Sequence, residues 1–161
     1  MFIFEHKPGT NPAIATYPHG ECAASPQRGE SNLDDVVAIL LVEDDQTIQS
    51  VIEESLSDGG FEITIASSGE QATELMGAAN PQFRAVVTDI NLGRDRMDGW
   101  GVARHARESK PDMPIIYMTG DSADEWASKG VPNSILLTKP FAPAQLVTAL
   151  AHLLNTGTPT A

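Results

Sequence analysis

Residues 38–56 read AILLVEDDQTIQSVIEESL, and this stretch decides the fold. Ala38 to Val42 is a short, unbroken apolar run of the kind a strand needs when it is buried on both faces. Ile48, Val51, Ile52 and Leu56 then recur at helical spacing, and Asp58-Gly59-Gly60 stops the helix. Three acidic residues, Glu43, Asp44 and Asp45, sit at the junction.

The same alternation repeats downstream. Phe61 to Ala66 (FEITIA) predicts a second strand, and Glu70 to Ala78 a helix with Ser67 or Ser68 as its N-cap. Ala85 to Thr88 predicts a third strand, followed by a polar loop from Asn91 to Asp98. Trp100, Ala103 and Ala106 fit a helix ending before Pro111, and Pro114 to Met118 (PIIYM) predicts a fourth strand. A short helix over Ala123 to Ser128, closed by Gly130, leads to a fifth strand, Ser134 to Leu137. Leu146, Val147, Leu150, Leu153 and Leu154 make the apolar stripe of a last helix. Strands that alternate with helices require right-handed crossovers, hence an α/β domain. The expected fold is a doubly wound, five-stranded parallel sheet with five helices over residues 36–155.

Residues 1–35 contrast with this pattern. Pro8, Pro12, Pro18 and Pro26 punctuate them, and no helical or strand period is visible. They predict a disordered or partner-docking extension, and residues 156–161 a flexible tail. The chain of 161 residues carries 10 Lys plus Arg against 22 Asp plus Glu, a formal charge of −12. That balance argues against nucleic-acid binding and against an anionic membrane surface. No apolar run approaches the roughly 20 residues that cross a bilayer. No secretory signal is visible, and Cys22 stands alone, so a reduced, cytoplasmic location is expected.

In such sheets ligands bind outside the carboxyl ends of the strands. Glu43-Asp44-Asp45 follow the first strand, Asp89 the third, Thr119-Gly120 the fourth and Lys139-Pro140 the fifth. Carboxylates with room for water suit Mg²⁺, a hard cation, and no His or Cys pattern suggests zinc. Asp89 has the chemistry to attack phosphorus and form an acyl phosphate. Lys139 supplies a cation for a phosphoryl oxygen and Thr119 a hydroxyl donor. Singly, each has a plainer explanation: an acidic residue after a strand is often only a helix cap. The joint placement carries the inference.

ILLVEDD at 39–45, VVTDINL at 86–92, MTGD at 118–121 and LLTKPF at 136–141 together resemble the receiver domain of bacterial two-component response regulators. The resemblance covers the whole expected domain and implies a flavodoxin-like receiver fold. It implies Asp89 as phosphoacceptor, Glu43 and Asp44 as the acidic pair holding Mg²⁺, and the backbone carbonyl of Asn91 as a further metal contact. Thr119 is similar to the switch hydroxyl, and Lys139 to the phosphate-pairing lysine before a cis-proline, Pro140. Asp45 is left as the cap of the first helix, and Asn91 and Asp121 as side chains that tune access of water. The implied phosphodonor is a histidine kinase or histidine phosphotransfer protein. The implied role is a single-domain regulator rather than an enzyme, acting through a downstream protein target or as a relay or sink, with a phosphorylation-dependent dimer possible. The competitors are a receiver-like scaffold that is never phosphorylated and a Mg²⁺-dependent aspartyl-phosphate phosphohydrolase, which lacks its second carboxylate at Asn91.

Three departures from the family pattern stand out. The loop after Asp89 has no proline and is longer and more basic, with Arg94 and Arg96. Its Asp98-Gly99 pair comes later than usual. Leu136 occupies the usual position of a switch aromatic, while Tyr117 falls within the fourth strand, where strand filling is the simpler reading. Trp100 and Trp126 are expected as core or rim packing, and His105 and His152 lack metal-spaced partners.

Overall fold

Strand β1 (Ala38–Val42) is buried at every residue, as an apolar run with no alternation requires. A computed structural model provides the structure, which describes residues 36–78, 82–93 and 96–156. After β1 come α1 (Gln46–Asp58), β2 (Glu62–Ala66), α2 (Gly69–Gly77), β3 (Ala85–Asp89) and α3 (Gly99–Ser109). Then follow β4 (Ile115–Thr119), a 3₁₀ turn (Ala123–Glu125) running into α4 (Trp126–Lys129), β5 (Ile135–Thr138) and α5 (Pro143–Thr156). The strands form one parallel sheet in the order β2-β1-β3-β4-β5. This is the expected doubly wound α/β fold.

The core has two layers, one on each face of the sheet. Ile39, Leu41, Val87, Ile116 and Met118 point to one face and meet Ile52 and Leu56 of α1 and Leu146 and Leu150 of α5. Leu40, Val42, Val86, Ile115 and Tyr117 point to the other and meet Ala72 of α2 and Trp100, Val102 and Ala106 of α3. The alternation along each strand distributes one apolar run between two cores, each fully buried aliphatic contributing about 1.5–3 kcal/mol. From β1 the chain goes outward to β2 and then returns to β3 on the other side. That reversal opens a crevice at the carboxyl ends of β1 and β3.

The elements differ from expectation at their ends. Strand β3 includes Asp89, β4 runs from Ile115 to Thr119, and β5 runs from Ile135 to Thr138. Pro114 has no N–H to give a ladder, yet its carbonyl accepts from the Val86 amide at 2.9 Å, so it borders β4 instead of joining it. The expected helix from Ala123 to Ser128 is split into the 3₁₀ turn and α4, and Gly130 follows it. Helix α5 reaches Thr156, one residue beyond the expected boundary, with the Thr156 hydroxyl bonded back to the His152 carbonyl. The expected extension over 1–35, residues 157–161 of the expected 156–161 tail, Cys22 and Arg94 lie outside the described residues.

Tyr117 fills the core, as expected of a strand residue. Its ring sits 4.7 Å from that of Trp100, tilted at 53°, and its hydroxyl accepts from the Val131 amide at 3.2 Å. Burial pushes the Tyr117 phenol up. Its partner on β5 is Leu136, so the aromatic bulk of this sheet edge lies on β4 and not on β5. Tyr117→Phe removes the acceptor and should cost about 1 kcal/mol, read as a lower urea midpoint.

Candidate functional site

The crevice collects acids from two strands and a cation from a third. Glu43 lies one residue beyond β1 and is only 1% exposed, whereas Asp44 is exposed. Asp45 accepts from the Thr47 and Ile48 amides at 2.8 and 3.2 Å, so it caps α1, as its placement in the sequence suggested. Asp89 ends the central strand β3 and is buried. One carboxylate oxygen from each of Glu43, Asp44 and Asp89 lies within 4.8 Å of the others.

Lys139 reaches into this cluster from the loop after β5. Its Nζ donates to Glu43 Oε2 at 3.0 Å and to Asp89 Oδ2 at 3.2 Å. Its backbone amide donates to the Thr119 carbonyl at 2.7 Å, continuing the ladder past the end of β5, and the Lys139–Pro140 peptide is cis. Burial pushes the Glu43 carboxyl up, and the neighbouring Asp89 charge adds to this. Burial likewise raises Asp89, against the opposing pull of Lys139. For Lys139 burial favours the neutral amine, but the bond to Glu43 and the charge of Asp89 outweigh it, and its pKa is raised. One ammonium therefore answers two buried carboxylates and an exposed third, leaving a pocket that favours more positive charge.

Thr119 ends β4 fully buried, its Oγ1 accepting from the Ser122 and Asp121 amides at 2.8 and 3.2 Å. Asn91 lies two residues past Asp89. Its amide donates to Asp89 Oδ1 at 3.4 Å, and its Nδ2 donates to Asp121 Oδ1 at 2.9 Å. The residues expected from the sequence, Glu43, Asp44, Asp89, Asn91, Thr119 and Lys139, thus all come to one rim. The donor set is hard oxygen, with the Lys139 ammonium standing where cationic charge is needed, which fits Mg²⁺.

The longer loop after Asp89 is fastened at its far end. The Met97 amide donates to Glu70 Oε1 at 3.1 Å, which holds the Glu70 carboxyl below its usual range. Asp98 caps α3 by accepting from the Gly101 amide at 2.8 Å. Sequence reasoning missed Gln49, a buried residue of α1 whose side chain holds the backbone at Glu43. The available signal was a polar side chain set at i, i+3 and i+7 with Ile52 and Leu56 on the core-facing stripe.

Comparison with known proteins agrees with this geometry. The family described as the response regulator receiver domain matches residues 39–151. A response regulator MprA from Mycolicibacterium vanbaalenii is 34% identical over 125 residues, which are 76% of this chain and 52% of that protein. A probable transcriptional regulator ycf27 from Cyanophora paradoxa is 34% identical over 73% of this chain and 48% of its own length. The chain therefore spans about half the length of the curated relatives it matches. Among solved structures, a response regulator receiver protein from Sinorhizobium medicae is 47% identical with a TM-score of 0.74, covering 77% of this chain and 98% of its own. The receiver domain of a sensor histidine kinase from Pseudomonas aeruginosa has a magnesium ion coordinated in its active-site cleft. It is 29% identical with a TM-score of 0.64, covering 74% of this chain and 98% of that one.

Proposed function

Because this chain belongs to the response regulator receiver domain family, we propose that it accepts a phosphoryl group on Asp89 from a histidine kinase or histidine phosphotransfer protein, with Mg²⁺ as cofactor. The observation that carries this is the convergence of Asp89 with Glu43, Asp44 and Lys139 at the β1–β3 crevice. An oxygen of the Asp89 carboxylate attacks phosphorus, and the P–N bond to the donor imidazole breaks. Nitrogen keeps the electron pair and takes up a proton, and an acyl phosphate remains on Asp89. Glu43, Asp44 and Asp89, with the Asn91 carbonyl, would hold Mg²⁺, which when bound would supply positive charge against the phosphoryl oxygens.

The chain's own residues do the positioning. The Lys139 ammonium, now shared between Glu43 and Asp89, is placed to pair with a phosphoryl oxygen. The Thr119 hydroxyl accepts two amides and keeps its proton free to donate. Turning to the phosphoryl group takes it away from the Asp121 and Ser122 amides that lead into the 3₁₀ turn. Charge placed at Asp89 is thereby felt at α4 and the adjoining face, a surface for a downstream protein target or a second copy. Water attack on phosphorus later breaks the O–P bond and returns the carboxylate and inorganic phosphate, past the Asn91–Asp121 bridge. This reading gives a receiver that acts by protein contact or as a relay or sink.

The test is incubation with Mg²⁺ and acetyl phosphate, followed by intact mass measurement. We expect the gain of one phosphoryl group, absent when EDTA replaces Mg²⁺ and mapped to Asp89. A chain that gains no mass under conditions that label an established receiver is instead a receiver-like scaffold.

A further inference from the structure

Glu43 and Asp44 are joined by a peptide whose carbonyl has lost its strand partner. The β1–β2 register ends at Val42 opposite Ala66, and the last ladder bond runs from the Glu43 amide to the Ala66 carbonyl at 3.1 Å. Beyond that point β2 turns into Ser67 and Ser68, and Ser68 caps α2. The next rung would use the Glu43 carbonyl, and no β2 amide is left in line to donate to it. A buried carbonyl without a donor is costly.

Gln49 supplies the missing donor from α1. Its Nε2 donates to the Glu43 carbonyl at 2.5 Å and to Ser67 Oγ at 3.1 Å. The Ser67 amide in turn donates to Gln71 Oε1 at 2.8 Å. One carboxamide therefore ties the end of β1 to the end of β2 and, through Gln71, to α2. Gln49 also occupies a core-facing position, where an apolar side chain would be buried without any polar cost.

What the bond controls is the Glu43–Asp44 peptide. Among the described residues the Asp44 carboxylate takes no hydrogen bond, so its direction depends on the backbone that carries it. We infer that Gln49 is a positioning residue for the cation site, orienting Asp44 and the backbone at Glu43 through this peptide. The inference rests on the reading of Glu43, Asp44 and Asp89 as the Mg²⁺ site. Partners that orient ligands in this indirect way commonly affect metal affinity by 10–100-fold.

The test is calorimetric titration of Mg²⁺ into the full chain, without phosphodonor, alongside thermal melting of the metal-free protein. Gln49→Met keeps length and bulk but cannot donate. It should weaken Mg²⁺ binding about tenfold. Ser67→Ala, which removes one of the two anchors, should give a smaller loss in the same direction. A purely structural role for Gln49 would change the metal-free melting temperature and leave the Mg²⁺ dissociation constant alone. Binding by Gln49→Met within about twofold of the unaltered chain overturns the inference. If Gln49→Met does not fold, an unchanged constant for Ser67→Ala overturns it equally. Failure of the unaltered chain to take up Mg²⁺ sinks the metal reading first, and this inference with it.

Discussion

Asp89→Asn should remove Mg²⁺-dependent labelling by acetyl phosphate completely and, at the same time, make the metal-free protein more stable at neutral pH. The first effect follows from chemistry, because an amide lacks the anionic oxygen that forms the acyl phosphate. The second follows from electrostatics. Burial holds the Asp89 pKa above that of the unfolded chain, and only one ammonium serves both this carboxylate and Glu43. Between the unfolded and folded pKa values the native state therefore binds more protons than the unfolded one. Stability is greatest below the unfolded value and declines as pH rises through the folded value. Glu43 contributes in the same direction. Asn at position 89 cannot ionise, so its share of that decline disappears and Lys139 is left to Glu43. Melting temperatures of both proteins across pH 4–8, in EDTA, check this: the curves should converge in acid and separate towards neutrality, the variant higher. A variant less stable at pH 7 than in acid relative to the parent would contradict the charge argument. Mg²⁺ should narrow the gap, since the form that keeps all three carboxylates should bind it more tightly.

Much of this site can be read along the chain because the chemistry sits where strands end. An apolar run such as AILLV announces a strand buried on both faces, and the polar residues just after it must lie at the sheet rim. Glu43, Asp44, Asp89, Thr119 and Lys139 were all identifiable on that basis, and the resemblance of VEDD, VTDI, MTGD and LTKP to the family pattern implied their roles. What joins them was not visible. The bonds of Lys139 span 96 and 50 residues of sequence, and Gln49 reaches Ser67 across 18. Such contacts depend on strand order and on how far each helix is set along the sheet. Local period carries neither. Gln49 is the clear case: by its position it belongs to the apolar stripe of α1, and only the point at which β2 turns away explains a polar side chain there. The ends of β4 and β5 were misjudged by one residue for a related reason. Polar Thr119 and Thr138 read as loop, but the parallel ladder continues through both.

Gly99→Ala should be among the most damaging single substitutions outside the charged pocket, costing about 3 kcal/mol. Gly99 opens α3, and its amide donates to the Ile90 carbonyl at 2.9 Å, which brings the helix start against the end of β3. A Cβ at this position would stand 2.2 Å from the Asp89 carbonyl oxygen and 2.8 Å from the Ile90 Cα. Both atoms are backbone, so no side chain is able to swing aside. Either α3 must lift from the sheet, giving up part of the packing of Trp100 and Val102, or the end of β3 must shift and carry Asp89 with it. The second response separates this substitution from an ordinary core defect. Labelling by acetyl phosphate should slow in the fraction that remains folded, since Asp89 would no longer sit correctly against Glu43 and Lys139. Gly77 provides the contrast, because it closes α2 with nothing near the place a Cβ would take. Gly77→Ala should leave labelling unchanged and, in a helical residue, gain about 0.5–1 kcal/mol. Urea unfolding of the two variants, with labelling rates taken well below the transition, checks the pair. Equal midpoints would mean that the close approach at Gly99 does not constrain the end of β3 at Asp89.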